Sequence, residues 1–201
     1  MVLKFEEGWS YLQKDITKLI RNIEGKREPT LNPTHYMNLY TTIYTMCIQN
    51  RSDYSPQLYE KYRQVLEDYT IQTLLPSLRE KNDEDMLREL VRMWKNHVIL
   101  VKWLSKVFDY IDRYYVINSS LPTLREVGLT CFCSLVYREM HSTAKEAIHK
   151  EREGEEIDRE LVKSVLDIYV SKWIQEESSD YKLKAVKKAF DDVHILNASR
   201  L

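Results

Sequence analysis

Glycine is scarce in this chain, with 4 residues in 201, and proline hardly less so, with 5. All-β folds need many Gly- and Pro-marked turns, and phosphate-binding α/β folds need glycines at their nucleotide loops. No G-x-G-x-x-G, G-x-x-x-x-G-K or G-x-S-x-G occurs. The shortage therefore points to an all-α fold of long helices and few tight turns. Cysteine is scarce too: only Cys47, Cys131 and Cys133. The odd count, with no signal-peptide core behind Met1, predicts free thiols in a reducing compartment. The expected location is the cytoplasm and nucleus. An excess of one charge sign is also missing. Lys and Arg total 30 against 31 Asp and Glu, so no broad field favours nucleic acid or an anionic membrane. A membrane span needs roughly 20 apolar residues, and the longest run here, around Val98–Leu104, is interrupted by Lys102.

Recognisable chemistry is absent as well. The five histidines, at 35, 97, 141, 149 and 194, show no H-E-x-x-H or comparable spacing. Cys131-Phe-Cys133 is a C-x-C without the second pair that a zinc site needs. Glu155-Glu156 and Asp191-Asp192 sit in charge runs, where paired carboxylates carry no meaning without a cleft. Lys182, Lys184, Lys187 and Lys188 make a small basic face lacking interleaved aromatics. No catalytic residue, cofactor, metal or nucleic-acid partner is expected.

Helix signals, by contrast, recur along the chain. Trp9, Leu12, Ile16, Leu19, Ile20 and Ile23 keep the i, i+3, i+4, i+7 spacing of an amphipathic helix, which Gly25 is placed to end. Asn32-Pro33 reads as an N-cap followed by proline in the first turn, opening a helix to about Gln49. Ser55-Pro56 repeats the device, with Leu58, Tyr62, Val65, Leu66, Tyr69 and Leu74 as the apolar stripe and Pro76 near the end. A long helical stretch follows over about 84–116, with a possible break near Asn96-His97. Thr123-x-x-Glu126 is a capping box opening a helix with Val127, Cys131, Leu135, Val136 and Met140. The charged stretch ending at Gly154 is the candidate boundary. Beyond it, Ile157-Asp158 opens a further helix, and an amphipathic segment spans about 182–193.

One more absence is local. Pro33–Gln49 contains no Asp, Glu, Lys or Arg, although about a third of the remaining residues are charged. At about 100° per residue, Tyr36, Leu39, Tyr40, Ile43, Met46 and Cys47 form one stripe, and Met37, Tyr44 and Ile48 widen it. The apolar arc covers roughly 200°, about twice what one core-facing stripe requires. Either the helix is central and buried all round, or one edge packs inward while Tyr36, Met37, Tyr40 and Tyr44 meet a partner. A second aromatic cluster follows. Val107, Tyr110, Ile111 and Tyr114 share a helical face, with Arg113 at its edge. Taken alone they fit a core.

Three stretches together resemble the N-terminal part of a cullin, the scaffold of multisubunit ubiquitin ligases. They are Tyr36-Met37-Asn38-Leu39-Tyr40-Thr41-Thr42-Ile43-Tyr44, then Trp94 to Tyr115 with Tyr110-Ile111-Asp112-Arg113-Tyr114-Tyr115-Val116, then Glu151-Arg152-Glu153-Gly154-Glu155-Glu156-Ile157-Asp158 followed by Leu161. The subtype looks like the plant branch of the SCF class, whose adaptor carries F-box proteins. The resemblance implies cullin repeats, each a five-helix bundle, stacked as an elongated stalk: residues 1–150 the first repeat, residues 151–201 the start of a second. It implies an adaptor-binding site of Tyr36, Met37, Tyr40 and Tyr44 on the second helix and Val107, Tyr110, Arg113 and Tyr114 on the fifth. The family's C-terminal half recruits the RING subunit and carries the lysine that accepts a ubiquitin-like modifier. This chain lacks it, so neither RING binding nor ubiquitin transfer is expected. The expected role is a scaffold fragment holding the adaptor and, through it, F-box proteins. The alternatives are a competitor of full-length cullin and a degenerate helical scaffold that no longer binds adaptor.

Overall fold

The structure, a computed structural model, describes residues 3–26, 32–49, 53–81, 83–136, 160–161, 163–165 and 167–168. All regular structure among them is helical. The expected boundary near residue 150, the Glu151–Asp158 motif, the helix at Ile157-Asp158 and the 182–193 segment lie outside the described residues, as does Met140.

The chain divides into two packing units. The first comprises residues up to Tyr69 together with Lys95–Cys131; the second comprises Thr70–Trp94 and the residues from Phe132 onward. Helix α1 (Phe5–Ile23) opens the first unit and buries Trp9, Leu12 and Ile16. It ends as predicted. Gly25 takes φ +78°, its N–H bonds the Asn22 carbonyl, and the Lys26 N–H reaches back to Arg21. This is a Schellman closure, in which glycine supplies the left-handed residue without a Cβ clash. Helix α2 (Pro33–Ile48) starts at the predicted cap, with the Asn32 side chain accepting from the His35 N–H at 2.8 Å. Its far end is tied to the irregular N-terminal stretch by Gln49, whose amide both donates to and accepts from the Leu3 backbone at 3.0 Å. Helix α3 (Ser55–Tyr69) buries Leu58, Tyr62, Leu66 and Tyr69. Its start differs slightly from the sequence reading, because Asp53 holds both the N–H and the hydroxyl of Ser55.

In the second unit, α3 runs on into a π-helical turn, Thr70–Leu74, and then α4 (Leu75–Arg79). Pro76 therefore sits in the last turn of this continuous helical run, near its end as the sequence suggested, yet still preceded by helix. A proline removes one intrahelical donor and clashes with the preceding turn, and the wider π turn just before it relieves both problems. Leu74, Leu75 and Leu78 pack in this unit with Leu87, Leu90 and Met93, while Phe132 meets Trp94 at 5.3 Å.

Helix α5 (Asp83–Val107) gives its first half to the second unit and its second half to the first. It runs unbroken through Asn96-His97, where the sequence suggested a break. Each polar side chain makes a hydrogen bond to another helix instead. The Asn96 amide donates to the Ile23 carbonyl at the end of α1 (3.2 Å), and His97 Nε2 donates to the Gly128 carbonyl at 2.8 Å. The real discontinuity comes at Phe108, followed by a π-helical segment, Ile111–Val116, and a short α6 (Ile117–Ser119). Helix α7 (124–136) then opens on the predicted capping box: Glu126 accepts from the Thr123 N–H at 2.8 Å, and the Glu126 N–H donates to the Thr123 hydroxyl at 3.2 Å.

Gly128 lets α7 approach closely. A Cβ there would stand 2.7 Å from a Val101 methyl and 3.1 Å from the Tyr62 hydroxyl. Gly128→Ala is therefore expected to destabilise the chain by about 1–3 kcal/mol through overpacking, despite alanine's better helix propensity. A chemical denaturation midpoint at or above that of the unmodified chain would contradict this packing.

His97 is fully buried, and burial pushes its pKa down to about 4, against the opposing pull of the Gly128 carbonyl. The folded state thus holds a neutral imidazole that the unfolded chain protonates near its ordinary value, about 6.5. Stability is full above that value and falls as pH drops from about 6.5 toward about 4, by up to about 3 kcal/mol from this group. Urea unfolding at several pH values should show the slope, and His97→Gln, which keeps an N–H donor, should flatten it.

Candidate protein-docking site

Helix α2 is neither buried all round nor a one-faced surface helix. Leu39, Ile43, Met46 and Cys47 are buried in the first unit. Tyr36 and Tyr40 are half-buried, and Met37, Tyr44 and Ile48 are 55%, 40% and 45% exposed. With Thr41, the last three lie at i, i+4, i+7 and i+11, so the surplus arc read from the sequence is a real uncharged outer stripe.

The second aromatic cluster lies beside it in the same unit. Tyr44 meets Tyr110 edge-to-face at 5.0 Å and 89°, and Tyr110 stacks obliquely on Tyr114 at 4.6 Å. Both distances fall in the range where aromatic pairs attract beyond their buried area. Lower down, the Tyr36 hydroxyl donates to the Lys106 carbonyl at 2.9 Å, tying the first turn of α2 to the end of α5. Partial burial, then the nearby Asp109 carboxylate, raise the Tyr36 pKa, so the phenol stays a neutral donor. Arg113 pairs with Asp109 at 2.7 Å. At 68% exposure for the arginine, that pair contributes little stability and fixes the rim instead.

Of the eight residues singled out in the sequence, seven reach this surface, at least partly exposed. Val107 is the exception. It is 4% exposed, inside the unit's core, so it supports the neighbouring residues from beneath. A period of 3.6 residues puts it on one face with Tyr110 and Tyr114; the break at Phe108 and the π turn after it remove that alignment. The sequence reading also missed Trp103. It is 42% exposed and lines a groove of about 580 Å³ with Pro33, Tyr36, Met37 and Arg113. A tryptophan one turn before Val107, flanked by Lys102 and Lys106, carried the signal.

The motif Tyr110–Val116 can be read residue by residue. Ile111 and Val116 are core. Asp112 accepts the Leu124 N–H at 2.8 Å and so holds the loop before α7; burial raises its pKa. Tyr115 sits edge-on to Tyr59, whose hydroxyl donates to the Pro122 carbonyl at 2.8 Å. Only Tyr110, Arg113 and Tyr114 are left for the outer surface. Among the described residues no group of three His, Cys, Asp or Glu could hold a metal, and no helix is long and apolar enough to cross a membrane. All three cysteines are buried thiols, and burial pushes Cys47 up to about 11.

The profile of the cullin alpha solenoid domain matches residues 9–195. This chain belongs to the cullin family. Putative cullin-like protein 2 of Arabidopsis thaliana is 69% identical to it over 174 residues, covering 84% of this chain and 46% of that protein. Cullin-1 of Oryza sativa subsp. japonica is 56% identical, over 84% of this chain and 23% of its own length. Cullin-like protein 3 of Arabidopsis thaliana is 46% identical, over 90% of this chain and 84% of its own. The cullin chain described here thus spans about half or less of the first two relatives and most of the third.

Proposed function

We propose that this cullin chain is a non-catalytic scaffold segment of a cullin-RING ubiquitin ligase, holding the F-box-carrying adaptor on the surface shared by α2 and residues 103–117. One observation carries the reading: two aromatic stretches about 70 residues apart in sequence meet through Tyr44–Tyr110 and Tyr36–Lys106 and leave their apolar tips outward. Exposed Met37, Tyr44, Trp103 and Tyr114 have the composition of an interface centre, where aromatic and methionine side chains are enriched and charge is depleted. The rim supplies the polar groups, through Asp109 and Arg113.

Calorimetric titration of an SCF-type adaptor into the purified chain tests the reading. Saturable heat with a micromolar or tighter Kd is the expected result. No detectable heat at tens of micromolar would overturn it.

A further inference from the structure

The proposed function uses α2 and residues 103–117, and leaves the outer face of α5 before Trp103, and its lysines, unassigned. Between Leu90 and Phe108 the sequence holds Arg92, Lys95, Lys102 and Lys106 but no Asp or Glu. The earlier part of the helix neutralises itself, with Arg88 paired to Glu84 and Arg92 to Glu89. The later part does not. Lys95, Lys102 and Lys106 have no ion-pair partner among the described residues. With Ile99 and Trp103 they stand at i, i+4, i+7, i+8 and i+11, one helical face about 16 Å long at about 1.5 Å per residue. All five are exposed, Ile99 by 46% and Trp103 by 42%, and the Lys106 ammonium lies 5.8 Å from the Trp103 ring centroid.

We propose that this face docks an acidic protein segment, its carboxylates over Lys95, Lys102 and Lys106 and an apolar side chain against Trp103 and Ile99. Charge complementarity selects the occupant: an uncompensated basic strip around an apolar centre fits a segment with the opposite pattern. A chain of net charge −1 with three lysines in line lacks the broad basic surface that nucleic acid needs and the denser cluster that anionic lipid needs. Trp103 and Lys106 also line the groove beside Tyr36 and Met37, so the strip continues the adaptor surface. The inference rests on that reading: the acidic segment belongs to the partner already held there. Exposed lysines steer encounter and set salt dependence more than they set affinity, whereas Trp103 slows release.

The test is stopped-flow binding of adaptor at about 50 mM and about 500 mM salt, where the Debye length falls severalfold. Lys95→Glu/Lys102→Glu/Lys106→Glu should slow association about tenfold or more at low salt, with the difference shrinking at high salt. Trp103→Ala should speed dissociation about tenfold and change association little. The neutral Lys95→Gln/Lys102→Gln/Lys106→Gln variant should fall between, and circular dichroism checks that each variant is folded. Adaptor binding by the unmodified chain that is indifferent to charge reversal and to salt overturns the strip and leaves the proposed function standing. No binding by the unmodified chain overturns both. Phosphatidylserine vesicles or a single-stranded oligonucleotide bound through these lysines, with adaptor kinetics unaffected, would overturn the strip in favour of another occupant.

Discussion

Replacing Met37 and Tyr114 together by alanine is expected to weaken adaptor binding by about 2–4 kcal/mol and to leave the melting temperature nearly unchanged. The two residues are 55% and 54% exposed, and neither side chain makes a hydrogen bond among the described residues. Surface truncations of this kind usually shift stability by no more than about 0.5 kcal/mol, so a binding loss of several kcal/mol would come from the interface. Tyr36 is a poorer probe. Its hydroxyl bridges to the Lys106 carbonyl, so Tyr36→Ala would disturb the joint between α2 and α5 as well as any contact. Calorimetry on the double variant, set beside its thermal melt, separates the two effects. A large fall in melting temperature would show that these side chains serve the core.

Phe108→Ala should do the reverse first. Phe108 is fully buried and meets Tyr62 edge-to-face at 5.5 Å, at the point where α5 gives way to the π-helical segment. Removing a buried phenyl ring costs about 3–5 kcal/mol, the transfer term plus the cavity left behind. Marginal domains hold only about 5–15 kcal/mol, so a large share of the stability goes. Adaptor affinity should fall too, because Tyr110 and Tyr114 are held from this corner. Urea denaturation gives the stability loss directly, and a loss under 1 kcal/mol would mean the corner is not packed as described. The pair of variants thus contrasts an outward anchor with an inward support.

The legible parts of the fold were those set by local rules. Asn32-Pro33, Gly25 and Thr123-x-x-Glu126 each make the cap that their chemistry predicts, because a cap is decided within about four residues. The uncharged stretch 33–49 was legible as two-sided because its apolar arc exceeds one stripe. What the sequence could not give depended on distant partners or departed from the 3.6 period. Asn96-His97 looked like a breaker; only the Ile23 and Gly128 carbonyls, far along the chain, make it a helix interior. Val107 looked like a surface partner of Tyr110, since that inference assumes a uniform α-helix and a π turn follows. Trp103 escaped notice because a tryptophan on an amphipathic helix is ordinarily core, and only its exposed position in the fold says otherwise.

Hydrogen–deuterium exchange of the chain, with and without saturating adaptor, is the most direct test that α2 and the 103–117 segment form one docking surface. Slower exchange is expected in both stretches at once, over about residues 36–48 and 103–117, and in the Met37/Tyr114 variant it should vanish from both together. Protection of one stretch without the other, or of neither while adaptor is bound, would contradict a shared site.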